Sequence, residues 1–184
     1  FRATMSEHVH LALTVLDHLQ IRQVHWIGHI TAGVAGAMLY RHAPHRIASL
    51  TLSGTPLLRE GRFNLGHLMG LPLLLRYPLG RKLVAFRLAE NLGYAGKLEY
   101  DRITVAAAKT IESLSPEILQ NLRLLDGKLV RQIYEGLHQK HPPMLVIAGK
   151  YDKAVLPRDQ HTVAETTNSQ YVELSCGHMT FFIK

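Results

Sequence analysis

Residues able to do chemistry stand at three separate points of this 184-residue chain. The stretch "VHWIGHITAGVAG", Val24 to Gly36, reads as a buried strand, a sharp turn and a helix of small residues. That layout presents a side chain at the tip of the turn, and the tip here carries Ile30. Asp152 follows in "GKYD" and His178 in "CGHM", each just after an apolar run. A histidine backed by a carboxylate is a general base. The carboxylate accepts from one ring nitrogen, and the other nitrogen takes a proton from water or substrate, an effect of roughly 10²–10⁴-fold. Taken singly, Asp152 also reads as a turn residue capping the helix near Arg158, and His178 as one of 12 histidines on a surface loop.

The elements that must position these residues follow from hydrophobic spacing. Val9, Leu13, Leu16 and Leu19 lie on one face of a helix over Ser6 to Leu19. Val24 to Ile27 is a short apolar run bounded by Gly28, as expected of a buried parallel strand. Thr31 to His42 has a helical pattern with many small residues, and Pro44 closes it. Strands are expected at Ile47 to Leu52, Met144 to Ala148 and Tyr171 to Leu174, with helices at Lys128 to His138 and Arg158 to Thr166. Leu57 to His141 carries no strand pattern, and helices are expected within it at Lys82 to Leu92, at Asp101 to Leu114 and starting at Ser115. Strands alternating with helices imply a parallel sheet. Such a sheet gathers its loop tips along one edge, where open sheets bind ligands.

A turn residue, then an acid, then a histidine resembles the order of the α/β-hydrolase fold superfamily. Its nucleophile elbow reads small-x-nucleophile-x-small. The matching pieces are "VHWIGHITAGVAGAMLYRHAPHRIASLTLSGTP", "PPMLVIAGKYDKAVLP" and "YVELSCGHMTFF". The resemblance implies an α/β fold with a parallel sheet, helices on both faces and an inserted all-helical cap. Residues 1–56 and 142–184 would form the core and 57–141 the cap. It makes Asp152 and His178 the catalytic acid and histidine, and Gly28, His29, Ala32 and Gly33 the elbow around Ile30. Isoleucine has no lone pair, so it cannot attack a carbonyl. A one-residue slip would make Thr31 the nucleophile, but it would put bulky His29 where the elbow requires a small residue. The resemblance further implies strands before the elbow that this sequence does not contain. A missing N-terminal segment or a partner chain is expected to complete the sheet; otherwise the Val24–Ile27 edge is an aggregation risk.

Composition narrows the classes. Hydrophobic residues make up 47% and charged residues 19%, ordinary for a globular domain. The net charge of +7 is spread out, its densest groups being Arg76/Arg81/Lys82 and Arg41/His42/His45/Arg46, and no nucleic-acid motif accompanies it. No stretch is long and apolar enough for a transmembrane segment. Phe1-Arg2-Ala3 opens into a polar helix, so no signal peptide is expected. A single cysteine, Cys176, excludes an internal disulfide and fits a cytoplasmic location. His138 and His141 have metal-compatible spacing without a further ligand nearby, so no metal and no cofactor are expected.

The expected partner is a small apolar molecule, held in a channel between sheet and leucine-rich insert. Three functions fit. One is a hydrolase acting on a small, mostly apolar ester, amide or related carbonyl compound through an Asp152–His178 dyad. Another is a non-catalytic, ligand-binding or regulatory pseudo-hydrolase, favoured by the missing nucleophile. The last is an interaction module completed by another chain.

Overall fold

A computed structural model of the chain describes residues 4–57, 77–80, 82, 127–178 and 180–182. Four strands form one parallel sheet in the order β1-β2-β3-β4. They are β1 (Val24–His29), β2 (Ile47–Ser53), β3 (Met144–Gly149) and β4 (Gln170–Leu174). The helices are α1 (Met5–His18), α2 (Thr31–His42), α3 (Gly127–Glu135) and α4 (Pro157–Thr167).

Pleat alternation decides which side chains make the core. Leu50, Leu52 and Val146 are fully buried and join Val34 and Ala37 of α2, Val130 and Ile133 of α3 and Val163 of α4 in one cluster. Each leucine, isoleucine or valine among them contributes roughly 1.5–3 kcal/mol by leaving water. The alternate positions are open: His25, Ile27 and Val172 are exposed. At the close approach of α2 to β1, a Cβ on Gly36 would lie 2.4 Å from the Trp26 indole, so the small-residue pattern of α2 reflects packing distance.

The expected elements form with small changes at their ends. β1, β2 and β3 run further toward their carboxyl ends than the apolar runs suggested, because ladder pairing continues through His29↔Ser53 and Gly149↔Leu174, whereas β4 starts one residue earlier, at Gln170. The helix expected to reach His138 stops at Glu135. Gly136 follows it, and the turn closes through Leu137 N–H to the Tyr134 carbonyl at 2.9 Å. Asn168 ends α4 in the left-handed region at φ 53°. The helices expected over Asp101 to Leu114 and from Ser115, and nearly all of that over Lys82 to Leu92, lie outside the described residues, as does most of the 57–141 insert.

One member of the basic group at 41–46 is structural. The Arg46 guanidinium donates to the Ile21 and Arg22 carbonyls at 2.8 and 2.9 Å and to Asp17 at 2.6 Å. It thereby holds the α1–β1 connection against the approach to β2.

Candidate active site

Parallel strands bring four chain segments to one edge of the sheet: the ends of β1, β2, β3 and β4. The first is a strained turn. Ile30 sits between β1 and α2 at φ 55°, ψ −121°. A β-branched residue at positive φ is a genuine outlier, of the kind that costs roughly 1–3 kcal/mol and persists where surroundings over-determine it. The surroundings do so here. Ile30 N–H donates to the Ser53 carbonyl at 3.0 Å, Gly33 N–H donates back to the Ile30 carbonyl at 3.1 Å, and the Trp26 indole N–H holds the Ala32 carbonyl at 2.9 Å. A Cβ on Gly28 would lie 2.5 Å from the Ala32 and Gly33 backbone, so the turn closes only over glycine. Gly33 is equally confined, its Cβ position 2.1 Å from Thr55 Oγ1. Thr31 is the first helical residue of α2, one step past the strained position.

The second feature is a buried acid–imidazole pair. Asp152 and His178 are both 3% exposed, and His178 Nδ1 lies 2.7 Å from Asp152 Oδ2. A carboxylate only accepts, so Nδ1 carries the proton of that bond and the neutral ring keeps its lone pair on Nε2. Asp152 Oδ1 accepts the N–H groups of Ala154 and Val155, both at 2.8 Å. The carboxylate is thus held through Oδ1 by its own loop and through Oδ2 by His178. The Gly149 site admits the His178 loop closely: a Cβ there would be 2.0 Å from the Gly177 carbonyl oxygen.

His29 joins the pair from the β1 side. Its ring centroid is 4.8 Å from that of His178, at an interplanar angle of 48°. Burial first, and then the His178 imidazole, lower its pKa to about 4, against weaker opposing effects of the Ser53 backbone and the Asp152 carboxylate. His29 is therefore neutral at physiological pH. Cys176, two residues before His178, is buried, and burial together with the Asp152 carboxylate raises its thiol pKa. It stays protonated at neutral pH and is a poor nucleophile.

Several supporting residues carry no local sequence signature. Gln160 of α4 is fully buried and clamps the segment after β2, accepting from Thr55 N–H at 3.1 Å and donating to the Thr55 carbonyl. Ser53 Oγ hydrogen-bonds Thr180 Oγ1, tying the end of β2 to the turn after His178. Tyr134 Oη donates to the Pro56 carbonyl at 3.5 Å. Gln160 reads from sequence as an ordinary helical polar residue; only the fold brings it to Thr55.

His138 Nδ1 donates to the Thr166 carbonyl at 3.1 Å and His141 Nδ1 to the Pro142 carbonyl at 2.7 Å. Among the described residues no three His, Cys, Asp or Glu side chains form a group that could hold a metal ion. Nor is any described helix long and apolar enough to cross a membrane. Two open surface grooves, of about 650 and 900 Å³, are lined by residues away from Asp152 and His178. The expected channel under the insert falls outside the described residues.

A family model described as the alpha/beta hydrolase fold matches residues 2–184. The chain belongs to the alpha/beta hydrolase fold family. Its structure is similar to an enol-lactonase from Burkholderia xenovorans, with a TM-score of 0.79 at 19% identity, covering 98% of this chain and 68% of that one. It is similar to a thermophilic esterase from Thermogutta terrifontis, TM-score 0.77 at 21% identity, covering 97% and 66%. It is also similar to an esterase from Exiguobacterium antarcticum, TM-score 0.77 at 15% identity, covering 99% and 69%. The chain therefore spans about two thirds of the length of these hydrolases, and at such identities the likeness is one of fold. No curated protein sequence matches it.

Proposed function

We propose that this alpha/beta hydrolase family member hydrolyses a small, mostly apolar ester, lactone, amide or related carbonyl compound, with His178 as general base, Asp152 as its orienting acid and water as nucleophile. The observation that carries this reading is the buried 2.7 Å contact between His178 Nδ1 and Asp152 Oδ2, at the same sheet edge as the Ile30 turn. Fold relatives that are esterases and a lactonase support the substrate class. The leucine-rich segment 57–141, read from the sequence resemblance as a cap, would supply the apolar wall.

The chemistry runs without a covalent enzyme intermediate because Ile30 offers no attacking atom. His178 Nε2 takes a proton from water as the water oxygen bonds to the carbonyl carbon. The π pair moves to the carbonyl oxygen. Asp152 stabilises the imidazolium so formed and keeps the ring oriented. The backbone N–H of Thr31, at the free first turn of α2, is the donor an elbow offers to that oxyanion. Collapse breaks the bond to the leaving group, which receives the proton from His178. One water is consumed, and the products are an acid and an alcohol or amine.

The test is turnover of a panel of short-chain p-nitrophenyl esters and aliphatic lactones by the wild type, His178→Ala and Asp152→Asn. Activity in the wild type that falls roughly 10²–10⁴-fold in both variants, with folding retained by circular dichroism, supports the reading. Activity unchanged by His178→Ala overturns it. The second reading, a ligand-binding relative without turnover, is favoured by one observation: the strained turn is kept while its reactive group is replaced by Ile30. Saturable binding of an ester without its hydrolysis would select that reading.

A further inference from the structure

A hydrogen bond at one nitrogen, together with the Cβ–Cγ bond, holds an imidazole at two points and leaves a limited rocking of its plane. His178 has one such bond to a described side chain, from Nδ1 to Asp152 Oδ2. Rocking of the side chain about its two torsions moves Nε2 most, so a contact on the ring face has to limit it. The ring of His29 makes it, 4.8 Å from His178 and tilted 48°. Phe181 meets His29 in turn, edge to face at 5.8 Å.

Below the two histidines lies bare backbone. Gly54, at φ 53°, has a Cβ position 3.0 Å from Cε1 of His29 and 3.0 Å from Cε1 of His178. Both rings press onto the one residue without a side chain, which shuts the space beneath them. Neither nitrogen of His29 has a hydrogen-bond partner among the described residues, although both are buried. Buried polar atoms ordinarily find partners. Apart from the electrostatic effect of the Ser53 backbone, what His29 brings to His178 among the described residues is the shape of its ring.

We propose that His29 is a positioning residue: its ring, packed over Gly54, fixes the plane of the His178 imidazole while Asp152 fixes its pivot. The proposal rests on the reading of His178 as the base. Neutrality suits the role, because a cation beside His178 would oppose the imidazolium that proton transfer creates. His29 is neutral down to about pH 4.

The test compares His29→Phe, His29→Leu and His29→Ala in the full chain, read by nitrogen-resolved NMR of the His178 Nδ1–H and by steady-state kinetics. Phenylalanine keeps a flat ring and lacks the nitrogens; leucine fills volume without a ring; alanine opens the space. In the wild type, the Nδ1–H should be resolved and slow to exchange. His29→Ala and His29→Leu should speed its exchange about tenfold or more and lower kcat by up to about 10²-fold, with KM little changed. His29→Phe should recover most of both losses. An Nδ1–H that exchanges as in the wild type in the folded His29→Leu variant overturns the proposal. So does a His29→Phe variant as impaired as His29→Ala, since the nitrogens would then matter. Leucine serves where alanine fails to fold. Because exchange is measured without substrate, a wild type with no turnover but ring-dependent exchange would sink the hydrolase reading and leave the positioning role standing.

Discussion

Ile30 and Ser53 are joined by a backbone hydrogen bond of 3.0 Å, from the Ile30 N–H at the end of β1 to the Ser53 carbonyl at the end of β2. The bond holds an isoleucine in a left-handed conformation, φ 55°, that its branched side chain resists. The turn between β1 and α2 is thus held in a strained conformation around a side chain that cannot attack, the position that the proposed function reads as a nucleophile elbow.

Ile30→Ser should place a hydroxyl in the strained turn beside the Asp152–His178 pair. We expect a fluorophosphonate probe to label residue 30 in the variant and not in the wild type, with a burst of p-nitrophenol from activated esters. Stability should change by less than about 1 kcal/mol, since relief of strain on the branched side chain offsets the apolar burial lost. Absence of label in a folded variant would mean that the turn does not present its side chain to His178.

Gly28→Ala addresses the turn itself. Its new methyl would sit 2.5 Å from the backbone of Ala32 and Gly33, and neither chain segment can yield without moving α2. A loss of about 3 kcal/mol is expected in urea unfolding, the upper part of the range for overpacked sites. A loss below about 0.5 kcal/mol would show that the turn is looser than described.

Gln160→Leu keeps the volume but strips the Thr55 N–H and carbonyl of their buried partners. Unsatisfied buried groups cost roughly 1–3 kcal/mol each. The variant should lose at least about 2 kcal/mol by denaturant melts. It should also lose activity beyond the loss of folded fraction, because Thr55 follows Gly54 beneath the two histidines. Full activity in the folded fraction would confine Gln160 to a stability role.

The pH dependence of stability carries the mark of His29. Its folded pKa of about 4 lies below the ordinary 6.5, so the unfolded chain binds the proton first as pH falls. Stability from this group is complete above about pH 7, declines between 6.5 and 4, and levels off below. The groups facing it are His178, which deepens the shift, and Asp152 and the Ser53 backbone, which oppose it. Part of the ring reaches solvent, so the loss is on the order of 1–2 kcal/mol. Unfolding free energies of wild type and His29→Phe, measured from pH 7 to 4, should diverge by that amount, the wild type losing more. A constant difference across that interval would be evidence against a buried neutral His29.

Local chemistry in the chain determines most of the framework. The apolar runs at Val24, Ile47, Met144 and Tyr171 mark all four strands, and Thr31–His42 is legible to the residue, because strand and helix periods are written in neighbouring side chains. The small residues Gly28, Ala32 and Gly33 mark the turn, and it is visible without coordinates that its tip, Ile30, has no reactive group. What no local pattern carries is which side chains meet. Asp152 and His178 are 26 residues apart, and Gln160 and Thr55 are 105 apart. Those meetings are decided by strand register and by how closely glycines let one loop approach another. His29 shows the difference most plainly: in sequence it is a bulky residue of the turn, and only the packed sheet edge sets it over Gly54 against the His178 ring.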